Sequence, residues 1–158
     1  MTLNETVLER LAEWRAPREG RHALAVPDQG SGWTVTITAD RHDDLSCALW
    51  EMTLQRTTAA PAGDSLQKWA DRAARVNGLL EQLQVHEVDT ERNEALLRSI
   101  QPTRRGEELY YYEVLLRGTS QATVRRFHGG TENCKRTQVA FVLTYEQLSK
   151  FAADLAAD

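Results

Sequence analysis

The side chains best able to do chemistry cluster between residues 103 and 136. Arg104, Arg105, Arg117, Arg125, Arg126, Lys135 and Arg136 stand there against only Glu107, Glu108, Glu113 and Glu132, a local basic excess in a chain whose net charge is −4. Tyr110, Tyr112 and Phe127 are interleaved with these cations. A guanidinium stacks on an aromatic ring, so this mixture suits a flat, cationic, π-rich surface for a peptide or a single-stranded nucleic acid. The spacing decides which of the residues can meet. Leu109 to Arg117 and Ser120 to His128 read as two strands joined through Gly118-Thr119, and glycine at the first central position suits a two-residue type II′ turn. That turn pairs Arg117 with Ser120, Glu113 with Val124, Tyr112 with Arg125 and Tyr110 with Phe127. Tyr110, Tyr112, Arg125 and Phe127 then share one face, beside Arg126, and form the expected binding surface. The competing expectation is that the same face is core, continued by Val114 and Leu116 with Arg125 at its edge. In that case Tyr111 and Arg126 face water.

Catalytic constellations are missing from the sequence. There is no glycine-rich phosphate loop ending in Lys-Ser or Lys-Thr, and Gly30-Ser31-Gly32 lacks the third glycine and the strand-to-helix setting of a dinucleotide fingerprint. Gly118-Thr-Ser-Gln-Ala122 is no nucleophile elbow, because Ser120 is out of register and Ala122 stands where glycine is needed. His128-Gly129-Gly130, without an elbow, reads as a strand exit. His22, His42, His86 and His128 are scattered, with no HExxH and no close Cys/His set, so no metal is expected. Asp40-Arg41-His42-Asp43-Asp44 gathers carboxylates, but without the ligand spacing and glycine of a calcium loop it reads as a polar turn. Cys134 lies beside Lys135 and Arg136, whose charges favour a thiolate, yet no base with an orienting group accompanies it. Cys47, among apolar neighbours, reads as a small buried residue. No cofactor is expected, and an enzyme is disfavoured.

Composition excludes further classes. The 158 residues are 41% hydrophobic, which argues for one packed domain over 1–158. No run approaches the roughly 18 apolar residues of a membrane span. The N-terminus, Met1-Thr-Leu-Asn-Glu5, carries acid where a secretory signal carries Lys or Arg, so the expected compartment is the cytoplasm. The acidic balance disfavours a general nucleic-acid binder, which needs cations for phosphate neutralisation.

The elements that must position these residues follow from periodicity. Thr2 and Glu5 have capping-box spacing, and Val7, Leu8, Leu11 and Trp14 draw a helical stripe before Pro17. His22 to Val26 reads as a short extended piece. Trp33, Val35 and Ile37 alternate with threonines, as in a half-buried strand. Leu45 to Gln55 fits strand or helix, and the preceding strand with the Asp40–Asp44 loop favours a strand. Asp64 is placed to cap a helix with the stripe Leu66, Trp69, Ala73, Val76, Leu80 and Leu83. Hairpins follow: Val85–Asp89 with Ala95–Ile100, then the 109–128 pair. A loop from Gly129 to Arg136, a strand over Thr137–Leu143, and a helix capped by Thr144 and Gln147 with the stripe Leu148, Phe151, Ala152 and Leu155 complete the chain.

Strands that follow strands across short turns predict an α+β fold, a mainly antiparallel sheet with helices packed on one face, in the order α-β-β-α-β-β-β-β-β-α. That order, from the opening α-β-β-α-β-β to the terminal helix, resembles the type III secretion chaperone-like fold of small acidic proteins, with at least one additional hairpin here. The resemblance implies binding of an unfolded partner segment, usually by a homodimer. The expected function is therefore a non-enzymatic protein- or peptide-binding module, chaperone- or adaptor-like. Two alternatives remain open on the residues alone. One is a small-molecule enzyme or sensor holding an anionic ligand near Arg125, Arg126 and His128 in a sheet–helix cavity. The other is single-stranded RNA binding by the hairpin platform.

Overall fold

A computed structural model describes residues 1–130 and 135–156. Among them lie three helices, α1 (Leu3–Ala12), α2 (Leu66–Ala73) and α3 (Tyr145–Ala156). Ten strands accompany them: β1 (Glu19–Asp28), β2 (Trp33–His42), β3 (Ser46–Arg56), β4 (Leu83–Asp89), β5 (Glu94–Ser99), β6 (Thr103–Arg105), β7 (Glu108–Arg117), β8 (Gln121–Gly130), β9 (Arg136–Val139) and β10 (Phe141–Thr144). The fold is α+β. All pairings are antiparallel and the main order is β1-β2-β3-β8-β7-β5-β4.

The expected segments form for the expected reasons. Thr2 and Glu5 close a reciprocal capping box on α1, and Thr144 and Gln147 do the same for α3. Leu148, Phe151, Ala152 and Leu155 are buried, together with Val7 and Leu11 of α1. Residues 46–56 are a strand, and the turn before it is closed by Asp43, whose Oδ1 accepts from the amides of Leu45 and Ser46. The apolar residues of the three helices join Trp33, Val35, Ile37, Leu49, Met52, Leu54, Val114 and Val124 in one buried cluster. Each such aliphatic side chain is worth about 1.5–3 kcal/mol buried rather than exposed. The opposite sheet face carries Thr34, Thr36, Thr38, Thr53 and charged residues.

Five expectations are corrected. The 109–128 hairpin closes through three residues, not two: Arg117 pairs Gln121, Glu113 pairs Arg125, Tyr112 pairs Arg126 and Tyr110 pairs His128. Ser120 belongs to the loop because its amide donates to Arg117 and its carbonyl accepts from Arg56 of the neighbouring strand. Gly118, at φ +55°, turns its amide to Asn93. Helix α2 stops at Ala73. Its last amides close i to i−3 bonds, from Arg75 to Arg72 and from Val76 to Ala73, and Gly78 then takes φ +123°, a conformation that L side chains resist. Ser65 rather than Asp64 is its N-cap, and Asp64 instead pairs bidentately with Arg72. The short piece at His22–Val26 is the middle of a ten-residue strand.

The last correction concerns Thr137–Leu143, which is two strands, not one. Strands β3 and β8 pair only from Met52–Gln55 against Gln121–Val124 and then part. Into the gap, β9 runs along β8 and turns at Ala140, and β10 returns along β3. The result is a V-shaped insertion within the sheet. Cys134 and the centre of the Gly129–Arg136 loop lie outside the described residues; the strand before it extends to Gly130.

Candidate binding groove

One residue of register reverses every side chain of a strand. The slip in the 109–128 hairpin therefore divides the expected platform between two faces. Tyr110, Tyr112 and Arg126 lie on the face that carries the core residues Val114, Leu116 and Val124. Arg125 and Phe127 lie on the other with Tyr111. There Arg125 pairs with Glu51 at 3.1 Å, and the rings of Tyr111 and Phe127 are 6.1 Å apart. Arg136 covers Phe127 with its guanidinium 4.0 Å from the ring centroid and also contacts Glu113. Arg126, one of the two residues expected to face water if the hairpin face were core, is buried.

Arg126 is committed to Glu81. Its two terminal nitrogens each donate to one carboxylate oxygen at 3.1 Å, and both side chains are more than nine-tenths buried. Glu81 also accepts from Ser99 Oγ at 3.1 Å and from Thr103 Oγ1 at 2.8 Å, while Ser99 Oγ in turn accepts from the Tyr112 amide. Such complete hydrogen bonding is what a buried ion pair needs to offset desolvation. The guanidinium of Arg126 also lies 4.1 Å from the Tyr112 ring centroid. Burial pushes the Tyr112 phenol up, against the opposing pull of Arg126. The network fastens the segment after α2 to β5, β6, β7 and β8.

Above this network lies a groove of about 480 Å³. Tyr110, Tyr112 and Arg126 make its floor. One wall is Gly78, Leu79 and Leu80, with Arg105 at its rim; the other is Val139 to Leu143, with Gln147 of α3. Leu80 and Val142 are 75% and 62% exposed, uncommon values for large aliphatic residues flanking one concavity. Arg105 holds its guanidinium 5.2 Å from the Tyr110 ring centroid and makes no ion pair with the described residues. The groove thus offers apolar walls, aromatic floor and one cation at its mouth. The hydroxyl groups of its lining are those of two tyrosines, and no serine, cysteine or histidine is among the residues that line it.

No protein family, curated protein or solved structure matches the chain.

The remaining chemistry-bearing residues lie outside this groove, and His42, Asp43, Ser46 and Cys47 line a second concavity of about 340 Å³ with Arg18 and Arg41. His128 faces Glu108 at 3.6 Å and stacks on Tyr110, while His42 stacks on Trp14 and contacts the Pro17 carbonyl at 3.0 Å. No group of three His, Cys, Asp or Glu able to hold a metal occurs among the described residues. Cys47 is buried, and burial pushes its thiol up to about 12, so it is protonated and inert near neutrality. No described helix is long and apolar enough to cross a membrane.

Of the expected surface, Tyr110, Tyr112 and Arg126 line the groove. Glu81, Leu79, Leu80, Arg105 and the Val139–Leu143 wall were not foreseen as site residues. Leu80 carried a signal, as an apolar residue in a stripe interrupted by Gly78, and Arg105 belonged to the basic excess. Nothing local marks Glu81, whose partners Ser99, Thr103 and Arg126 are 18 to 45 positions away.

Proposed function

We propose that this chain is a non-enzymatic protein- or peptide-binding module, chaperone- or adaptor-like, with the groove between Leu80 and Val142 as its docking site. The observation that carries the reading is the groove's lining. It is open, its walls carry Leu79, Leu80 and Val139 to Leu143, and its buried guanidinium, Arg126, is already satisfied by Glu81. Large exposed aliphatic residues beside an open concavity, here Leu80 and Val142, mark macromolecular contacts.

The alternatives lose their support to the same geometry. Arg125, Arg126 and His128 each face an acidic partner, Glu51, Glu81 and Glu108, which leaves an anionic ligand little to bind. The aromatic–arginine platform for single-stranded RNA is split between two faces. The homodimer implied by the element order stays part of the proposal, and sedimentation equilibrium measures it directly.

The test is selection of dodecapeptides from a random display library on the immobilised protein, followed by rebinding to Leu80→Arg. Enriched peptides that bind the wild type and lose the variant, at an unchanged thermal midpoint, support the reading. Absence of enrichment, or peptides indifferent to Leu80→Arg, overturns it.

A further inference from the structure

Edges of a sheet invite added strands, and proteins usually blunt them. The outer edges here are blunted. Strand β1 carries Pro27 and a register irregularity between Glu19 and His22, and β4 is irregular between Val85 and Glu87. Strand β10 has neither device. Its sequence Phe-Val-Leu-Thr contains no charge and no proline, and its described pairing is with β3 alone.

The free edge of β10 faces the groove. Three consecutive residues of β10, Phe141 to Leu143, line the concavity, after Val139, which ends β9, and Ala140 of the turn that precedes them. Since alternate side chains of a strand point to opposite faces, successive residues line one space when that space lies along the strand's edge. Hydrogen-bond parity agrees. Tyr145 donates its amide to Leu45 across the β3 pair, whereas the amide of Thr144 turns to Gln147 Oε1. In an antiparallel ladder the inward and outward residues alternate. Leu143 and Phe141 therefore bond β3, and the N–H and C=O of Val142 point away from it, toward the groove.

We infer that the groove takes an extended segment of a partner protein, added as a strand along β10, with apolar side chains against Leu80 and the floor and a carboxylate at Arg105. The inference rests on the peptide-binding reading above. The backbone supplies affinity through Val142, and the side-chain preference comes from charge complementarity. Arg126 is neutralised by Glu81, so Arg105 is the cation lining the groove that has no acidic partner among the described residues.

The probe is a fluorescein-labelled heptapeptide of alternating valine and threonine with a central aspartate, followed by anisotropy. Its analogues replace the aspartate by lysine, or N-methylate alternate amides in either of the two parities. On the wild type the lysine analogue should bind about ten-fold more weakly, as loss of one charge contact predicts. Arg105→Glu should invert that preference. N-methylation of one parity should abolish binding, and of the other should leave it intact. Val142→Pro, which removes an N–H that bonds nothing in β3, should lose the probe at an unchanged thermal midpoint, while Val142→Ala retains it. Indifference to N-methylation in both parities overturns strand addition and leaves the peptide-binding reading standing, as does failure of the probe where library dodecapeptides bind. Equal binding of the lysine analogue overturns the assignment to Arg105. If neither probe nor dodecapeptides bind, the underlying reading falls as well.

Discussion

Two regions of the sheet do different work with different materials. Over β2 and β3 the contacts are dry: Trp33, Val35, Ile37, Leu49, Met52 and Leu54 are almost completely buried, and Trp69 of α2 meets Trp33 with ring centroids 5.6 Å apart. Over the far end of β7 and β8 the floor is Tyr110, Tyr112 and Arg126, held by a carboxylate and two hydroxyls, and open to a groove. Dispersion and apolar burial fill the first region and set stability. The second trades close packing for a polar framework of fixed geometry, which a docking surface needs and a core does not. The contrast teaches that the buried Glu81–Arg126 pair holds a wall in place beside an open space, where the core would fill that space with apolar side chains.

The comparison is broken most forcefully at Trp69, which is buried and donates its indole N–H to the Leu155 carbonyl at 2.9 Å. Trp69→Ala removes both contributions and should cost about 3–5 kcal/mol in urea unfolding. Next comes Arg126→Leu, which strands the Glu81 carboxylate with only its two hydroxyl donors and should cost about 3 kcal/mol. Adding Glu81→Leu should recover part of that loss, and a double-mutant cycle measures the coupling; strictly additive losses would show that the two side chains do not act as a unit.

The dry region can be sharpened by pH. Burial lifts the Cys47 thiol from its ordinary value of 9.0 to about 12. The unfolded chain then loses its thiol proton while the folded chain still keeps it. The stabilisation is fully present below pH 9, and falls as pH rises toward 12. Cys47→Ala should flatten this part of the stability profile, and the native thiol should react with a disulfide reagent at pH 8 only at the rate of unfolding. The smallest stability effect belongs to the groove rim. Leu80→Arg should change unfolding free energy by within about 0.5 kcal/mol, because the side chain is already mostly exposed, yet remove peptide binding.

Legibility followed the strength of the local signal. Helices α1 and α3 carry capping boxes beside apolar stripes, and both stand where the spacing put them. The β2 alternation of tryptophan, valine and isoleucine with threonines named its buried face correctly. The 109–128 hairpin defeated the same reasoning because Tyr110-Tyr111-Tyr112 and Arg125-Arg126 place similar residues on both parities. No hydrophobic pattern distinguishes the two registers there, and the loop decides. The period predicts too long a helix α2 because Val76, Leu80 and Leu83 continue it. Leu83 is buried, but as the first residue of β4, paired with Ser99.

Sequence alone determined the material of this protein: where turns fall, which segments are amphipathic, and that strands following strands must pair antiparallel. These are properties of neighbours within a few residues, set by sterics and apolar periodicity. Tertiary structure decided the rest. The third residue of the Gly118 loop was recruited by Arg56, the partner of Arg126 came from the segment after α2, and the V of β9 and β10 formed because β3 and β8 part beyond Met52 and Val124. Each depends on contacts between distant positions whose free energy exists only once the chain has brought them together.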